Sequence, residues 1–189
     1  VRRDFGPSVQ DASFEVAPGE ILGVAGLVGA GRTEMVEGLV GLRPATVRHL
    51  LLRGIEHPLP GAVEAWRLGI AYLTEDRKGY GLVLDETIAW NTTLANLPAV
   101  SNKTVVDEGK EFSVAQDFRK KLNIRSPNVF ARTVNLSGGN QQKVVLSKWL
   151  FSEPEVLILD EPTRGIDVGA KYEIYTIMKD LAAQGRGVV

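Results

Sequence analysis

Cysteine is absent from the 189 residues, which excludes disulfides and thiol chemistry; that suits the cytosol without localising the chain. An excess of charge of either sign is also missing. Twenty-two Lys and Arg stand against 23 Asp and Glu, for a net charge of −1, so no bulk basic field points to nucleic acid or an anionic membrane. No uninterrupted apolar run is long enough to span a bilayer, and no signal peptide is evident. Internal repeats and low-complexity tracts are lacking too. The two histidines, His49 and His57, sit apart and read as surface residues. What is present is ordinary: 44% hydrophobic and 24% charged residues, in a chain long enough for one domain with a sizeable core. The sequence opens on Val1 and closes within "GRGVV", the opening of a strand, so it is expected to be a piece of a longer polypeptide.

The hydrophobic pattern alternates between strands and helices. "FEVAPGEILGVAGLVGAG" predicts a short alternating strand, a Pro18-Gly19 turn and an apolar strand over Ile21–Ala25, followed by glycines and a helix from Thr33 to about Leu39. "TVRHLLLRGIE" reads as strand and turn, "AVEAWRLG" as a short helix and "IAYL" as a buried strand. From Glu75 to Asn128 the pattern changes: "TEDRKGYGL" is a charged loop, and "ETIAWNTTLANL" and "DEGKEFSVAQDFRKKLNI" look helical. This predicts a helical insertion over 75–128 within a core of 1–74 and 129–189. "NLSGGNQQKVVLSKWLF" is a loop feeding a helix, "EVLILD" a buried strand, and "VGAKYEIYTIMKDLAAQG" an amphipathic helix with a glycine stop. The alternation predicts an α/β fold with a mainly parallel sheet flanked by helices. Trp66, Trp90 and Trp149 fall in helical patterns and read as packing residues rather than a platform for bases.

Three motifs carry chemistry. "GLVGAGRTEM" fits the phosphate-binding pattern G-x-x-x-x-G-K-[ST] at Gly26, Gly31 and Thr33, but Arg32 stands in the lysine position. Such glycines let successive N–H groups face phosphate oxygens at a helix N-terminus; the alternative is a glycine-rich turn with no ligand. In "VLILDEP" a buried strand delivers Asp160 and Glu161 to the C-terminal edge of the sheet, where open α/β sheets bind ligands. Asp160 would hold Mg²⁺ through water and Glu161 would polarise an attacking water; the alternative is a pair of acids capping the next turn. "LSGGNQQK" places Ser137 and two glycines at a helix start, a second anion-binding terminus or a plain serine cap.

Together these motifs resemble the nucleotide-binding domain of ATP-binding cassette (ABC) transporters, a P-loop NTPase with a small antiparallel β part, over essentially the whole chain. "GLVGAGRT" looks like the family's Walker A, "VLILDEP" like Walker B, "LSGGNQQK" like the signature and "RGIDVGAK" like the D-loop, with Asp167 in the acidic place. "GLVGAGRTE", "YLTEDRKGYGL", "LSGGNQQKVVLSKWL" and "DEPTRGIDVGAK" further resemble the second, C-terminal cassette of the fused ATPases of bacterial monosaccharide importers. In that pattern the first cassette has a standard Walker A and a weakened signature; the second has arginine in Walker A and an intact signature.

The resemblance implies ATP and Mg²⁺ as cofactors. Gly26, Gly29, Ala30, Gly31, Arg32, Thr33 and Glu34 would bind nucleotide, and Thr33 and Asp160 would bind the metal. Glu161 would be catalytic, as would Glu75, which stands where the family's Q-loop glutamine is expected. Ser137, Gly138, Gly139, Asn140 and Gln141 would act in trans on the nucleotide of a companion N-terminal cassette. Phe5 is the one candidate for stacking on adenine, with a core or turn phenylalanine as the alternative. The other implied partners are transmembrane permease subunits and, indirectly, a periplasmic sugar-binding protein, with no nucleic acid. The expected location is the cytoplasmic face of the bacterial inner membrane, as a peripheral protein. Since arginine is longer, planar and forked where lysine is a point charge, the Arg32 site is expected to bind nucleotide and hydrolyse it slowly or not at all. The isolated chain is expected to be nearly inactive. Two other readings compete: a non-catalytic nucleotide-binding and dimerisation module, and a DNA-repair ATPase of the same superfamily, the latter disfavoured by the missing coiled-coil heptads and near-neutral charge.

Overall fold

The structure, a computed structural model, describes residue 9 and residues 12–189; Phe5 lies outside the described residues. The centre is a parallel sheet of β3 (Ile70–Leu73), β6 (Val156–Leu159) and β7 (Gly187–Val188), in the order β3-β6-β7. Ile70 pairs with Val156 and Leu73 with Leu159. The "IAYL" and "VLIL" runs lack polar–apolar alternation because both faces of these strands are covered. Period two divides their side chains. Ile70, Tyr72 and Ile158 pack with Val36 of α1 (Arg32–Leu39), Val40 just after it and Ala65 of α2 (Ala62–Arg67). Ala71, Leu73, Leu157 and Leu159 pack on the other side with Val144 and Leu146 of α5 (Gly138–Leu150) and Ile174 and Leu181 of α6 (Val168–Ala183). The result is three layers, helices on both faces of the sheet.

Helix α5 is buried all round, with Val144, Val145, Leu146 and Ser147 each fully enclosed. It lies between the sheet and α3 (Ile88–Thr93), which packs in turn on α4 (Glu108–Lys121). Ile88, Leu122 and Ile124 thereby join the same apolar cluster as Leu73 and Leu157. Buried Asn91 ties the preceding loop to α3: its Nδ2 donates to the carbonyls of Val83 and Thr87, and its Oδ1 accepts from Val83 N–H. Among the described residues two antiparallel hairpins flank this core. In β1 (Leu50–Leu52) and β2 (Ile55–His57) the turn residues Arg53 and Gly54 both have positive φ, the requirement of a tight two-residue hairpin. Arg53 also donates through Nε to Glu155 Oε2 at 2.8 Å, pinning the hairpin to the start of β6. His49 is exposed as expected, but it has a partner, Glu56, 2.8 Å from its Nδ1.

Several local expectations differ from the structure. Neither the short alternating strand expected in "FEVA" nor the one over Ile21–Ala25 forms; the latter makes one parallel bridge, Ile21 to Val188. Inside 75–128 the chain forms a second hairpin, β4 (Ser101–Asn102) with β5 (Val105–Val106), beside its helices. "TEDRKGYGL" holds an ordered wide turn over Arg77–Gly81, where Gly81 N–H bonds to Asp76 C=O and the Asp76 carboxylate accepts from the N–H groups of Lys78 and Gly79. Lys148, buried in α5, closes that turn by donating to Gly81 C=O at 2.5 Å; burial pulls its pKa down to about 8.

Helix α6 is capped at its start by Asp167, which accepts from Ala170 N–H, and is stopped by Gly185 just beyond its end, whose φ of 84° is left-handed. Its Glu173 meets Lys143, an α5 lysine only 2% exposed whose Nζ also donates to Asn123 C=O. The Lys143 ammonium, aided by Arg125 and Asn123, holds the Glu173 carboxyl below the usual carboxylate range. Its contribution to stability is therefore present at neutral pH and lost as pH falls through that depressed value. Glu173→Ala leaves a buried ammonium with one carbonyl partner and is expected to cost roughly 2–4 kcal/mol in chemical denaturation. Lys143→Met, which removes the charge, is expected to cost less.

Candidate functional site: a glycine loop and two acids at the edge of the sheet

The Gly26–Gly31 loop contains one turn, closed by Ala30 N–H to Leu27 C=O at 3.0 Å. Gly29 and Gly31 adopt φ of 83° and 85°, conformations that disfavour a side chain. A Cβ on Gly31 would in addition lie 2.6 Å from Val9. Gly31 precedes α1, which begins at Arg32, one residue before its expected start, and no side chain caps it. Glu34 stands in the first turn, where a carboxylate suits the helix dipole.

Folding brings the loop to the end of β6. Thr33 Oγ1 donates to Asp160 Oδ2 at 2.7 Å across 127 residues of sequence. Asp160 N–H bonds to Leu73 C=O, so the parallel ladder fixes the acid's height above the sheet. Arg32 Nη2 lies 3.0 Å from Glu161 Oε1, with both side chains partly exposed. Glu161 has a φ of 45°, an uncommon conformation for a non-glycine residue that costs on the order of 1 kcal/mol and clusters at functional sites. Between Arg32, Asp160, Glu161, Met35 and Ile158 lies a cleft of about 70 Å³. That is well below the roughly 300 Å³ at which small-molecule pockets begin.

Tyr72 is a member of the site that the sequence reading does not single out. Its hydroxyl donates to Asp160 Oδ2 at 3.1 Å. Burial first, then the Asp160 charge, pushes its pKa far above that of an ordinary tyrosine, so it remains a donor at physiological pH. The available signal is its register opposite Ile158, two residues before Asp160 on the neighbouring strand. Hydroxyl and carboxylate oxygens are hard donors, and the Thr33–Asp160 pair suits Mg²⁺, which completes its shell from phosphate and water. Among the described residues no group of three or more His, Cys, Asp and Glu could hold a metal unaided.

The second anion-binding candidate stands at the start of α5. Ser137 occupies the N-cap backbone conformation, but its hydroxyl does not cap the helix; it accepts from Asn140 Nδ2 at 2.9 Å. Asn140 Oδ1 accepts from Arg125 N–H. Gln141 is buried and donates to Thr133 C=O, supporting the loop that leads to the helix. The glycines answer to close approach as well: a Cβ on Gly139 would lie 2.6 Å from Ala170 Cβ, and one on Gly138 would lie 2.8 Å from Arg77 Nη2 and 3.1 Å from Gly165 C=O. Asp167, beside Gly139, caps α6, and the Ala170 N–H it accepts lowers its pKa. Glu75 is joined to Arg164 by an ion pair.

A glycine loop opening a helix, a strand-end aspartate on the helix's first hydroxyl and a parallel sheet between helices define a P-loop nucleotide-binding domain. The family model described as ABC transporter matches residues 9–164. The chain belongs to that family, as an ATP-binding domain. L-arabinose transport ATP-binding protein AraG of Geobacillus stearothermophilus is 50% identical over 179 residues, which cover 94% of this chain and 35% of that protein. Xylose import ATP-binding protein XylG of Geobacillus kaustophilus is 48% identical over 182 residues, 96% of this chain and 36% of that protein. The chain thus spans about a third of the length of these relatives. The fold is shared with the dimeric post-hydrolysis structure of the ATP-binding cassette MJ0796 bound to ADP and Pi, at a TM-score of 0.76 and 21% identity over 93% of this chain and 75% of that one. No described helix is long and apolar enough to cross a membrane.

Proposed function

We propose that this cassette couples ATP binding and hydrolysis to the import of a monosaccharide through a membrane permease, and that its two halves of chemistry belong to two different nucleotide sites. At its own site, Gly26, Gly29, Ala30, Gly31, Arg32 and Thr33 bind nucleotide phosphate, and Thr33 and Asp160 hold Mg²⁺, which when bound neutralises phosphate charge. At the other, Ser137, Gly138 and Gly139 face the nucleotide of a companion cassette in the same parent chain, at the cytoplasmic face of the membrane. The sugar-import ATP-binding relatives support the substrate class.

The observation that carries the asymmetry is the Arg32–Glu161 ion pair at 3.0 Å. A carboxylate that orients or deprotonates water needs a free oxygen aimed at that water. Here one oxygen is held by a charge-assisted bond to the residue in the lysine position. Arginine therefore acts twice against turnover: it sets its charge as a fork rather than a point, and it draws one of the two Glu161 oxygens away from water. That pair also favours the second reading, a nucleotide-binding module whose own site does no chemistry. Thermal unfolding with Mg-ATP tests the binding half. At one hundred times the dissociation constant the stabilisation is expected to be about 2.7 kcal/mol; no shift, with a flat calorimetric titration, contradicts a phosphate loop. The chain by itself is expected to release phosphate at close to the uncatalysed rate, because it holds half of each site, and robust turnover by a monomer contradicts shared sites.

A further inference from the structure

The segment after β3 and the segment after β6 hold each other through two arginines used in opposite senses. Arg164 sends its side chain back to Glu75, forming an ion pair. Arg77 sends its side chain forward, and its Nη1 donates to the backbone carbonyl of that same Arg164 at 3.0 Å. The Arg77 guanidinium then lies against the first turn of α5, where only the missing side chain of Gly138 leaves room for Nη2. Its Nε is buried with no hydrogen-bond partner among the described residues. A buried unpaired donor costs free energy, so the guanidinium sits there for its position and not for full hydrogen bonding. The carbonyl of Gly165, the next residue, closes over Gly138 from the other side. Arg164 N–H in turn bonds to Glu161 C=O at 3.0 Å, linking this contact to the turn that carries the catalytic candidate.

We propose that Glu75, Arg77 and Arg164 form a clasp that positions the start of α5 against the turn carrying Glu161, and that Glu75 acts through Arg164 rather than on the reacting phosphate. Glu75 and Arg164 are both substantially exposed, at 35% and 65%. An ion pair of that exposure contributes little to stability, so the clasp's effect falls on geometry. A displacement of about 1 Å at an active site costs far more in rate than such a pair costs in stability. Glu75, Arg77 and Arg164 are therefore positioning residues.

The functional part of this proposal rests on the ATPase reading above; the structural part does not, and the test separates them. In the complete polypeptide carrying this sequence, assembled with its permease, Glu75→Gln and Arg164→Gln are each expected to lower kcat about tenfold. The KM for ATP is expected to stay within about twofold, since the ground-state contacts are untouched. The exchanged pair Glu75→Arg with Arg164→Glu restores the bond with its polarity reversed and is expected to recover kcat to within about threefold of the parent. Hydrogen exchange on the same polypeptide with Arg77→Ala is expected to quicken over residues 136–142 and 162–168 and to stay unchanged over 110–120 in α4. An exchanged pair no faster than the single variants overturns the proposal, because Glu75 then acts by its own charge on another group. Single variants as fast as the parent overturn the functional part, and unchanged exchange in both segments overturns the structural part. If the parent itself shows no turnover, the ATPase reading fails and exchange alone decides the clasp.

Discussion

Gly138→Asp in the complete polypeptide is expected to lower ATP turnover by at least about 100-fold, the scale of losing a preorganised donor to a developing negative charge. Two effects combine. The new carboxylate sits at the N-terminus of α5, where backbone N–H groups and the helix dipole favour an anion, and it repels a phosphate there. Its Cβ also enters the space held by Arg77 Nη2 and the Gly165 carbonyl. Gly138→Ala separates the two, because it brings the Cβ without the charge. Its expected turnover lies between those of the parent and the aspartate variant. Both variants are expected to melt close to the parent, since Gly138 is only half-buried at a helix end, and a large loss of melting temperature would mark a folding defect instead.

Asp160→Asn is expected to abolish the Mg²⁺-dependent part of nucleotide binding. Asp160 receives the Thr33 and Tyr72 hydroxyls on one oxygen, so an amide keeps most of the shape of the site and loses its charge. For the parent, replacing Mg²⁺ with a chelator should remove most of the roughly 2.7 kcal/mol of stabilisation given by ATP at one hundred times the dissociation constant. For the variant, metal and chelator should give the same melting curve. Tyr72→Phe is the companion measurement. It removes one donor from Asp160 but leaves its charge, and the metal dependence should persist. A variant at Asp160 that still distinguishes Mg²⁺ from chelator would remove that residue from the metal site.

The parts legible in the sequence are those with local causes. The buried runs "IAYL" and "VLIL" are readable because both faces of a central parallel strand are covered, and α6 is readable from its apolar face and its glycine stop. The phosphate loop and the Asp160-Glu161 pair are readable because their chemistry fixes residue types at short spacing. What escapes the sequence reading depends on distant partners. Ile21–Ala25 has strand composition, but its one bridge, Ile21 to Val188, is to a residue far along the chain. The β4–β5 hairpin turns at Lys103, whose φ of 59° is held without the usual glycine signal. Arg77 reads as one more charge in a charged loop until Arg164 and Gly138, far along the chain, close on it. Gln141 reads as part of an exposed signature, yet its amide is turned inward to Thr133.

The central claim is that the arginine of "GLVGAGRTEM" belongs to the slow site and Gly138 to the fast one. Steady-state ATP turnover of the complete polypeptide at saturating Mg-ATP, for Arg32→Ala beside Gly138→Asp, tests it most directly. The account predicts that Gly138→Asp loses nearly all turnover, while Arg32→Ala keeps most of it and instead releases bound nucleotide faster. If Arg32→Ala damages turnover as much as Gly138→Asp while nucleotide still binds, the arginine site is the catalytic one and the account is contradicted.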